Sequence, residues 1–180
     1  MTPLKSIWWD WTERSSDQQD NPPLALKTPI FYTVSMKQNV QLVVIDGQGG
    51  SLGKALVGAI KKTFSQIDVL GIGTNSLAAS AMLKSGADAI ATGENPVIVA
   101  CRNADLIIGP LGILTSDALH GEITPAMAVA IAQSKAHKIL IPISKCNVTI
   151  VGVQEAPLSV MIDITLQEIK RFLDSAMASR

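Results

Sequence analysis

Four short apolar runs of this sequence each end in polar and glycine residues that could bind a ligand. Glycines let backbone N–H groups approach a ligand closely, and the N-terminus of a following helix favours an anion. We therefore predict that these residues bind a phosphate group, although the glycines could also serve only to let each strand turn tightly into a helix. They are Asp46, Gly47, Gln48, Gly49, Gly50 and Ser51 after the first run, Gly73, Thr74 and Asn75 after the second, Thr92, Gly93, Glu94 and Asn95 after the third, and Gly109 at the end of the fourth.

The first loop resembles the dinucleotide-binding fingerprint without matching it fully. Gly47, Gly50 and Gly53 form a GxxGxxG pattern between an apolar run and a helical segment, which is where that fingerprint belongs. The acid that would bind a ribose hydroxyl after the second run is missing, because Thr74 and Asn75 stand there. No arginine nearby offers itself to a 2′-phosphate either, and both facts argue against NAD and NADP as the ligand.

The same loop also departs from the Walker-type pattern GxxxxGK[ST]. Gly53-Lys54 would end that pattern, but Gln48 replaces its first glycine and Ala55 replaces the Ser or Thr that holds magnesium. We therefore expect no ATP hydrolysis, and Lys54 then lies on the solvated side of its helix.

Three carboxylates near the predicted turns have structural as well as functional interpretations. Asp46 could orient a ligand, or it could hydrogen-bond the backbone of the turn that follows it. Glu94 lies at a helix start, where the helix dipole favours a carboxylate, and Glu122 is interpreted in the same structural way.

Cysteines and histidines predict neither a catalytic residue nor a metal site. Cys146 lies beside Lys145, which could lower the pKa of the thiol, but no base is placed near it by the sequence. Cys101 is in an apolar run and is predicted to be core, while His120 and His137 are isolated.

Strands and helices alternate along the rest of the chain, which predicts one α/β domain with a doubly wound, mostly parallel, Rossmann-like sheet in a three-layer sandwich. A short link joins the last two strands, so strand six is predicted to be an antiparallel edge strand. The predicted strands are Val40–Asp46, Gln66–Ile72, Asp88–Ala91, Leu106–Gly109, Lys138–Pro142 and Asn147–Val153, and the predicted helices are Ser51–Thr63, Asn75–Lys84, one capped by Asn95, one opened by Thr124-Pro125, and Leu158 to about Met177.

Residues 1–35 differ in composition from this domain, which is predicted to span residues 36–180. The segment contains all three tryptophans and the only tyrosine, and it has no sustained helix or strand period. We predict a poorly ordered extension or an overlong translation start; the alternative is a short docking segment that uses its tryptophans.

Composition excludes several classes of protein. The chain is 47% hydrophobic and 17% charged, and its 15 basic residues balance 15 acidic ones, so we predict no nucleic-acid or membrane partner. No uncharged apolar run approaches the roughly 18 residues that span a bilayer. The two cysteines have no CxxC spacing, which is typical of a protein in a reducing cytoplasm.

Several stretches together resemble an uncharacterised bacterial family known as domain of unknown function 3842. They include VIDGQGGSLGKALV, GTNSLAASAMLKSGAD, ATGENPVIVACRNADLIIGPLGI and GEITPAMAVAIAQSKAHKILIPISKCNV, and they extend over about residues 36–175. The resemblance implies a Rossmann-like fold, and it brings no activity, cofactor or catalytic residue.

From the residues themselves we predict a protein that binds a nucleotide or a small phosphorylated metabolite at the first glycine-rich loop. The N–H groups of Gly47, Gly49, Gly50 and Ser51 would surround the anion, with polar side chains from the other strand ends beside it. Two alternatives are an NAD(P)-dependent oxidoreductase, whose cofactor would be a dinucleotide, and a non-catalytic assembly protein that forms a homo-oligomer through its last helix.

Overall fold

The computed structural model describes residues 40–143, 148–154 and 156–178. The predicted extension at residues 1–35 and Cys146 therefore lie outside the described residues. The strands are β1 (Leu42–Asp46), β2 (Val69–Gly73), β3 (Ala89–Thr92), β4 (Leu106–Pro110) and β5 (His137–Ile141). The helices are α1 (Ser51–Thr63), α2 (Ser76–Lys84), α3 (Glu94–Cys101), α4 (Ala118–Gly121), α5 (Pro125–Gln133) and α6 (Leu158–Ala178), with a 3-10 turn at Leu111–Leu114.

The five described strands form one parallel sheet in the order β3-β2-β1-β4-β5. The chain winds outward from β1 to β3 and then returns to the other side of β1 to form β4. The strand order therefore reverses between β1 and β4, and a crevice forms at the carboxyl ends of neighbouring strands at such a reversal. This order confirms the predicted α/β class and its parallel sheet.

The central strands β1, β2 and β4 are buried on both faces, which explains why they are continuous apolar runs. In β1, Leu42 and Val44 pack into one core with residues of α1, α2 and α6. The alternate residues Val43 and Ile45 pack into a second core with α3 and α5 on the opposite face. The predicted three-layer arrangement is thus present in the described residues.

Side-chain caps begin two of the helices as the sequence predicts. The Asn75 side chain accepts a hydrogen bond from the N–H of Ala78 at 2.9 Å, and Thr124 Oγ1 accepts one from the N–H of Met127 at 3.2 Å. Each cap satisfies an N–H group that has no partner within its own helix.

Helix α3 begins one residue earlier than its predicted cap at Asn95. Its first residue is Glu94, and Gly93 precedes it with a φ of +96°. Glycine adopts this backbone conformation without the penalty that a side chain imposes. The apolar run that follows is helical, although taken alone it also resembles a strand.

The predicted sixth strand is not formed by the described residues, so the antiparallel edge is missing and the described sheet is entirely parallel. Asn147 lies outside the described residues, and residues 148–153 contain a turn in which the N–H of Val153 donates to the carbonyl of Ile150. Gly152 has a φ of +87° and Val151 is 96% exposed. A positive φ is incompatible with the extended backbone of a strand. The exposed side chain of Val151 also shows that this segment is not packed against the core as a sheet strand would be.

Met82 on α2 provides a test of the packing between α1, α2 and the sheet. The side chain is fully buried, whereas its neighbour Leu83 is 51% exposed. We expect Met82→Ala to lower the free energy of unfolding by about 2–5 kcal/mol, because it leaves a cavity in the core. Urea denaturation measures this loss, and Leu83→Ala, the matched control, should change the value by less than about 0.5 kcal/mol. Equal losses in the two variants would contradict this packing.

Candidate functional site

Asp46 fixes the shape of the glycine-rich loop between β1 and α1. One carboxylate oxygen accepts a hydrogen bond from the N–H of Gly47 at 2.8 Å, and the other accepts one from the N–H of Gly53 at 2.6 Å. The side chain is only 6% exposed. Of the two interpretations that the sequence leaves open for Asp46, the structure shows the bond to the turn backbone directly.

These contacts leave only some of the predicted N–H groups available to a ligand. The N–H of Gly47 is bonded to Asp46, and the N–H of Gly50 donates to the carbonyl of Gly47 at 3.0 Å. Within the described part of the chain, no hydrogen bond engages the N–H groups of Gly49, Ser51 and Leu52. These three donors lie at the N-terminal end of α1, where the helix dipole also favours an anion.

A cavity of about 320 Å³ lies beside these donors, at the reversal of strand order. Its walls come from the loop after β1, from the end of β4 and the 3-10 turn that follows, and from two apolar side chains. The lining residues are Asp46, Gly47, Gln48, Gly49, Ser51, Leu52, Pro110, Gly112, Leu119 and Ile143. Five of the predicted site residues therefore share one cavity, and they are all from the first loop.

A second cavity of about 300 Å³ adjoins the first and shares Gly112 and Ile143 with it. Its remaining described walls include residues of the segment 148–154 that follows β5. The two cavities therefore lie side by side near the carboxyl ends of β4 and β5.

Glu122 links the glycine-rich loop to the end of β2. Its Oε2 accepts hydrogen bonds from the N–H of Gln48 at 2.8 Å and from Asn75 Nδ2 at 3.0 Å. A third, short hydrogen bond comes from the hydroxyl of Thr74. The predicted residues Gln48, Thr74 and Asn75 are therefore brought together by a carboxylate for which the sequence favoured a structural role.

The two carboxylates at this loop have opposite pKa shifts. Burial raises the pKa of Asp46 above its ordinary value of 3.8, against the effect of its two backbone hydrogen bonds, and the nearby charge of Glu122 raises it further. Partial burial would also raise the pKa of Glu122, but the hydrogen bonds from Thr74, Gln48 and Asn75 outweigh it and, with His120, lower the pKa below 4.5. Glu122 is therefore ionised at neutral pH.

The turn that carries Glu122 to this position is strained. The φ values are +62° at Asp117, +56° at Leu119 and +60° at His120. Residues other than glycine rarely adopt this left-handed backbone conformation. Each such residue costs about 1–2 kcal/mol. The turn is closed by hydrogen bonds in which the N–H of Asp117 donates to Ile123 O at 2.7 Å and the N–H of Ile123 donates to Ala118 O at 3.2 Å. Backbone strain of this kind clusters at functional sites.

The predicted residues after β3 do not reach the cavity. Thr92 ends β3, at the edge of the described sheet, and Gly93, Glu94 and Asn95 form the start of α3. The Glu94 carboxylate accepts a hydrogen bond from the hydroxyl of Thr124 instead.

Gly73 and Gly109 are explained by close packing in the sheet. A Cβ atom on Gly73 would lie 2.4 Å from the nitrogen of Ala79, and one on Gly109 would lie 2.4 Å from the carbonyl oxygen of Ile45. Neither position lines the cavity at the strand reversal.

The three glycines of the GxxGxxG pattern also have steric reasons to be glycine. A Cβ atom on Gly47 would lie 2.6 Å from Thr74 Oγ1, and one on Gly53 would lie 2.8 Å from Asp46 Cβ. Gly50 has a φ of +70°, and its Cβ would lie 2.6 Å from the Cα of Ala78 on α2. A Cβ on Gly49, by contrast, would meet no atom within 4 Å.

The remaining candidates show no reactive environment. Cys101 is buried, as predicted, and burial raises the pKa of its thiol. The ring of His137 stacks on Phe172 with centroids 5.6 Å apart. Among the described residues, no cluster of His, Cys, Asp or Glu could hold a metal ion, and no helix is long and apolar enough to cross a membrane.

Sequence reasoning gave Glu122 a structural interpretation and did not place it at this site. Glu122 lies far along the chain from the first loop, and the only local signal was its position just before the cap of α5. The turn that carries it contains a single glycine, Gly121, and the sequence has no signal that Asp117, Leu119 and His120 also adopt a positive φ. Sequence reasoning also did not predict five of the residues that line the cavity, which are Leu52, Pro110, Gly112, Leu119 and Ile143.

The chain belongs to the family described as a domain of unknown function, DUF3842, whose match covers residues 41–174. The resemblance seen in the sequence is thereby confirmed. No curated protein and no solved structure matches the chain significantly.

The hydrogen bonds at Glu122 predict how stability depends on pH. Because the folded-state pKa lies below the ordinary value of 4.5, the stabilisation by the Glu122 charge is complete above that value and is lost as the pH falls through the folded-state pKa. We expect Glu122→Gln to lower the free energy of unfolding by about 1–2 kcal/mol at neutral pH, and by less as the pH falls. Urea denaturation of both proteins between about pH 7 and about pH 3 measures this difference. A difference that does not change with pH would show that the charge of Glu122 contributes nothing to the bridge.

Proposed function

We propose that this member of the DUF3842 family binds a nucleotide or a small phosphorylated metabolite in the cavity at the strand reversal. The phosphate would accept hydrogen bonds from the N–H groups of Gly49, Ser51 and Leu52. The observation that carries this proposal is that these donors have no partner in the described chain and belong to residues that line the cavity. Donors of this kind at the start of a helix form a ready anion site.

Gly49 supports the proposal because nothing in the described protein requires a glycine there. Gly47, Gly50 and Gly53 each avoid a contact under 3 Å with a neighbouring atom, whereas a side chain at Gly49 would meet open space. A glycine on the wall of a cavity, with a free N–H, allows the backbone to approach a ligand closely.

The cavity size favours a small ligand. A volume of about 320 Å³ is at the low end of the roughly 300–1,000 Å³ typical of ligand pockets. This volume suits a mononucleotide or a metabolite of similar size, and a dinucleotide would also need the adjoining cavity of about 300 Å³. The oxidoreductase and the assembly protein that the sequence left as alternatives have no comparable observation behind them.

Native mass spectrometry of the gently purified full chain tests the proposal. We expect a released mass that matches a nucleotide or a phosphorylated metabolite. In parallel, thermal denaturation with inorganic phosphate, ribonucleoside monophosphates and sugar phosphates should show stabilisation by at least one of them. Ligand at 100 times its Kd would stabilise the fold by about 2.7 kcal/mol. A clean mass together with no stabilisation by any compound of this panel would overturn the proposal.

The pair Gly49→Val and Gly50→Ala separates ligand binding from loop packing. We expect Gly49→Val to leave the free energy of unfolding within about 0.5 kcal/mol of the wild-type value and to abolish stabilisation by the ligand, because its side chain would project into open space beside the free N–H groups. Gly50→Ala should instead destabilise the fold itself, by about 1–3 kcal/mol, because it adds a Cβ at a positive φ against α2. Normal ligand binding by Gly49→Val would contradict the assignment of the phosphate to this loop.

A further inference from the structure

Glu122 uses only one of its two carboxylate oxygens within the described protein. Oε2 receives all three hydrogen bonds, from Gln48, Thr74 and Asn75. No hydrogen bond in the described part of the chain engages Oε1. A carboxylate has about four acceptor positions, so half of this group remains available to a donor from outside the protein.

This carboxylate is not itself a lining residue of the proposed ligand cavity, but it lies against two residues that are. Its Oε2 bonds the N–H of Gln48, and a Cβ on Gly47 would lie 2.7 Å from the same oxygen. Both Gln48 and Gly47 line the cavity, and so does Leu119 from the turn that carries Glu122. The side chain is neither fully buried nor fully exposed.

The carboxylate also stands at the end of β2, where Rossmann-like sites hold a ribose hydroxyl with an acid. Here Thr74 directly follows β2, and the sequence has no acid at that position. The hydroxyl of Thr74 instead donates to Glu122. The residue that follows β2 is therefore not an acid, but the carboxylate of Glu122, which directly follows α4, lies next to it.

Three fixed donors orient this acid before any ligand arrives. The N–H of Gln48 belongs to the loop that follows β1, and Asn75 is held by its own bonds to α2 and to the carbonyl of Gln48 at 3.0 Å. A carboxylate locked in this way loses little conformational entropy when a ligand hydroxyl binds to it.

We infer that Glu122 Oε1 accepts a hydrogen bond from the 2′-hydroxyl of a ribose, so that the cavity selects ribonucleotides over 2′-deoxynucleotides. This inference rests on the proposed function and names its ligand class. A 2′-deoxynucleotide would keep its 3′-hydroxyl but lack the 2′-hydroxyl that donates to the carboxylate, and a 2′-phosphate would be repelled by the negative charge. A hydrogen bond to a charged group is worth enough to give a preference of about tenfold or more.

Calorimetric titration of the full chain with the four ribonucleoside 5′-monophosphates and their 2′-deoxy counterparts tests this inference. We expect the wild type to bind at least one ribonucleotide about tenfold or more tightly than its deoxy form. Glu122→Gln should bind the two forms with nearly equal affinity. Glu168→Gln is the matched control, because Glu168 lies on α6 and pairs with Arg171, and it should keep the wild-type preference.

Thr74→Val provides a second variant if Glu122→Gln folds poorly. It removes one donor to Oε2 and leaves the carboxylate in the chain, so the preference for ribonucleotides should shrink without disappearing. Urea denaturation of each variant shows whether it is folded at the temperature of the titration.

Each other outcome overturns the inference in a distinct way. An unchanged ribonucleotide preference in Glu122→Gln would exclude Glu122 as the acceptor. Tighter binding of both nucleotide forms by Glu122→Gln would show that the negative charge of the carboxylate repels the phosphate of the ligand. Binding of phosphate or sugar phosphates without any nucleotide would overturn this inference and leave the proposed function intact, whereas binding of no compound would overturn both.

Discussion

The hydrogen bonds of the Asp46 carboxylate are the constraint on which the candidate site depends. They join the last residue of β1 to the N–H of Gly47 and to the N–H of Gly53 in the first turn of α1. The carboxylate thus does at this helix start what an N-cap side chain does elsewhere, while the residue at the cap position is Gly50. The loop is consequently a tight turn. The N–H groups of Gly49, Ser51 and Leu52 are the ones that have no partner in the described chain.

Glu122 applies a second constraint from the opposite side of the same loop. The two carboxylates differ in environment, since burial dominates at Asp46 and donated hydrogen bonds dominate at Glu122. One bond network closes the loop onto α1, and the other closes it onto the end of β2. The strained turn at Asp117, Leu119 and His120 brings Glu122 against the ends of β1 and β2. Neither of the loops that follow these two strands has a carboxylate at this position.

The sequence predicted the features that local patterns determine. Apolar runs gave the parallel strands, and the side-chain caps at Asn75 and Thr124 gave two helix starts. It could not predict the role of Glu122, because a contact across 74 residues with the N–H of Gln48 leaves no local pattern. The predicted sixth strand failed for a related reason, since the periodicity of residues 148–153 does not reveal whether a neighbouring edge is available for pairing.

The charges around the cavity limit what it can bind. Among the described residues that line it, none is a lysine or an arginine, and Asp46 is itself part of the wall. Among these described residues, the groups that would attract an anion are the backbone N–H groups and the dipole of α1, which are weaker attractions than a salt bridge. Attraction of this kind favours a ligand that also offers hydroxyl donors to the acidic side of the site. Because both oxygens of Asp46 are bonded to the loop backbone, the hydroxyl donors of a ligand would have to reach Glu122 under the proposed function, which fits a phosphorylated polyol or nucleoside better than a bare anion.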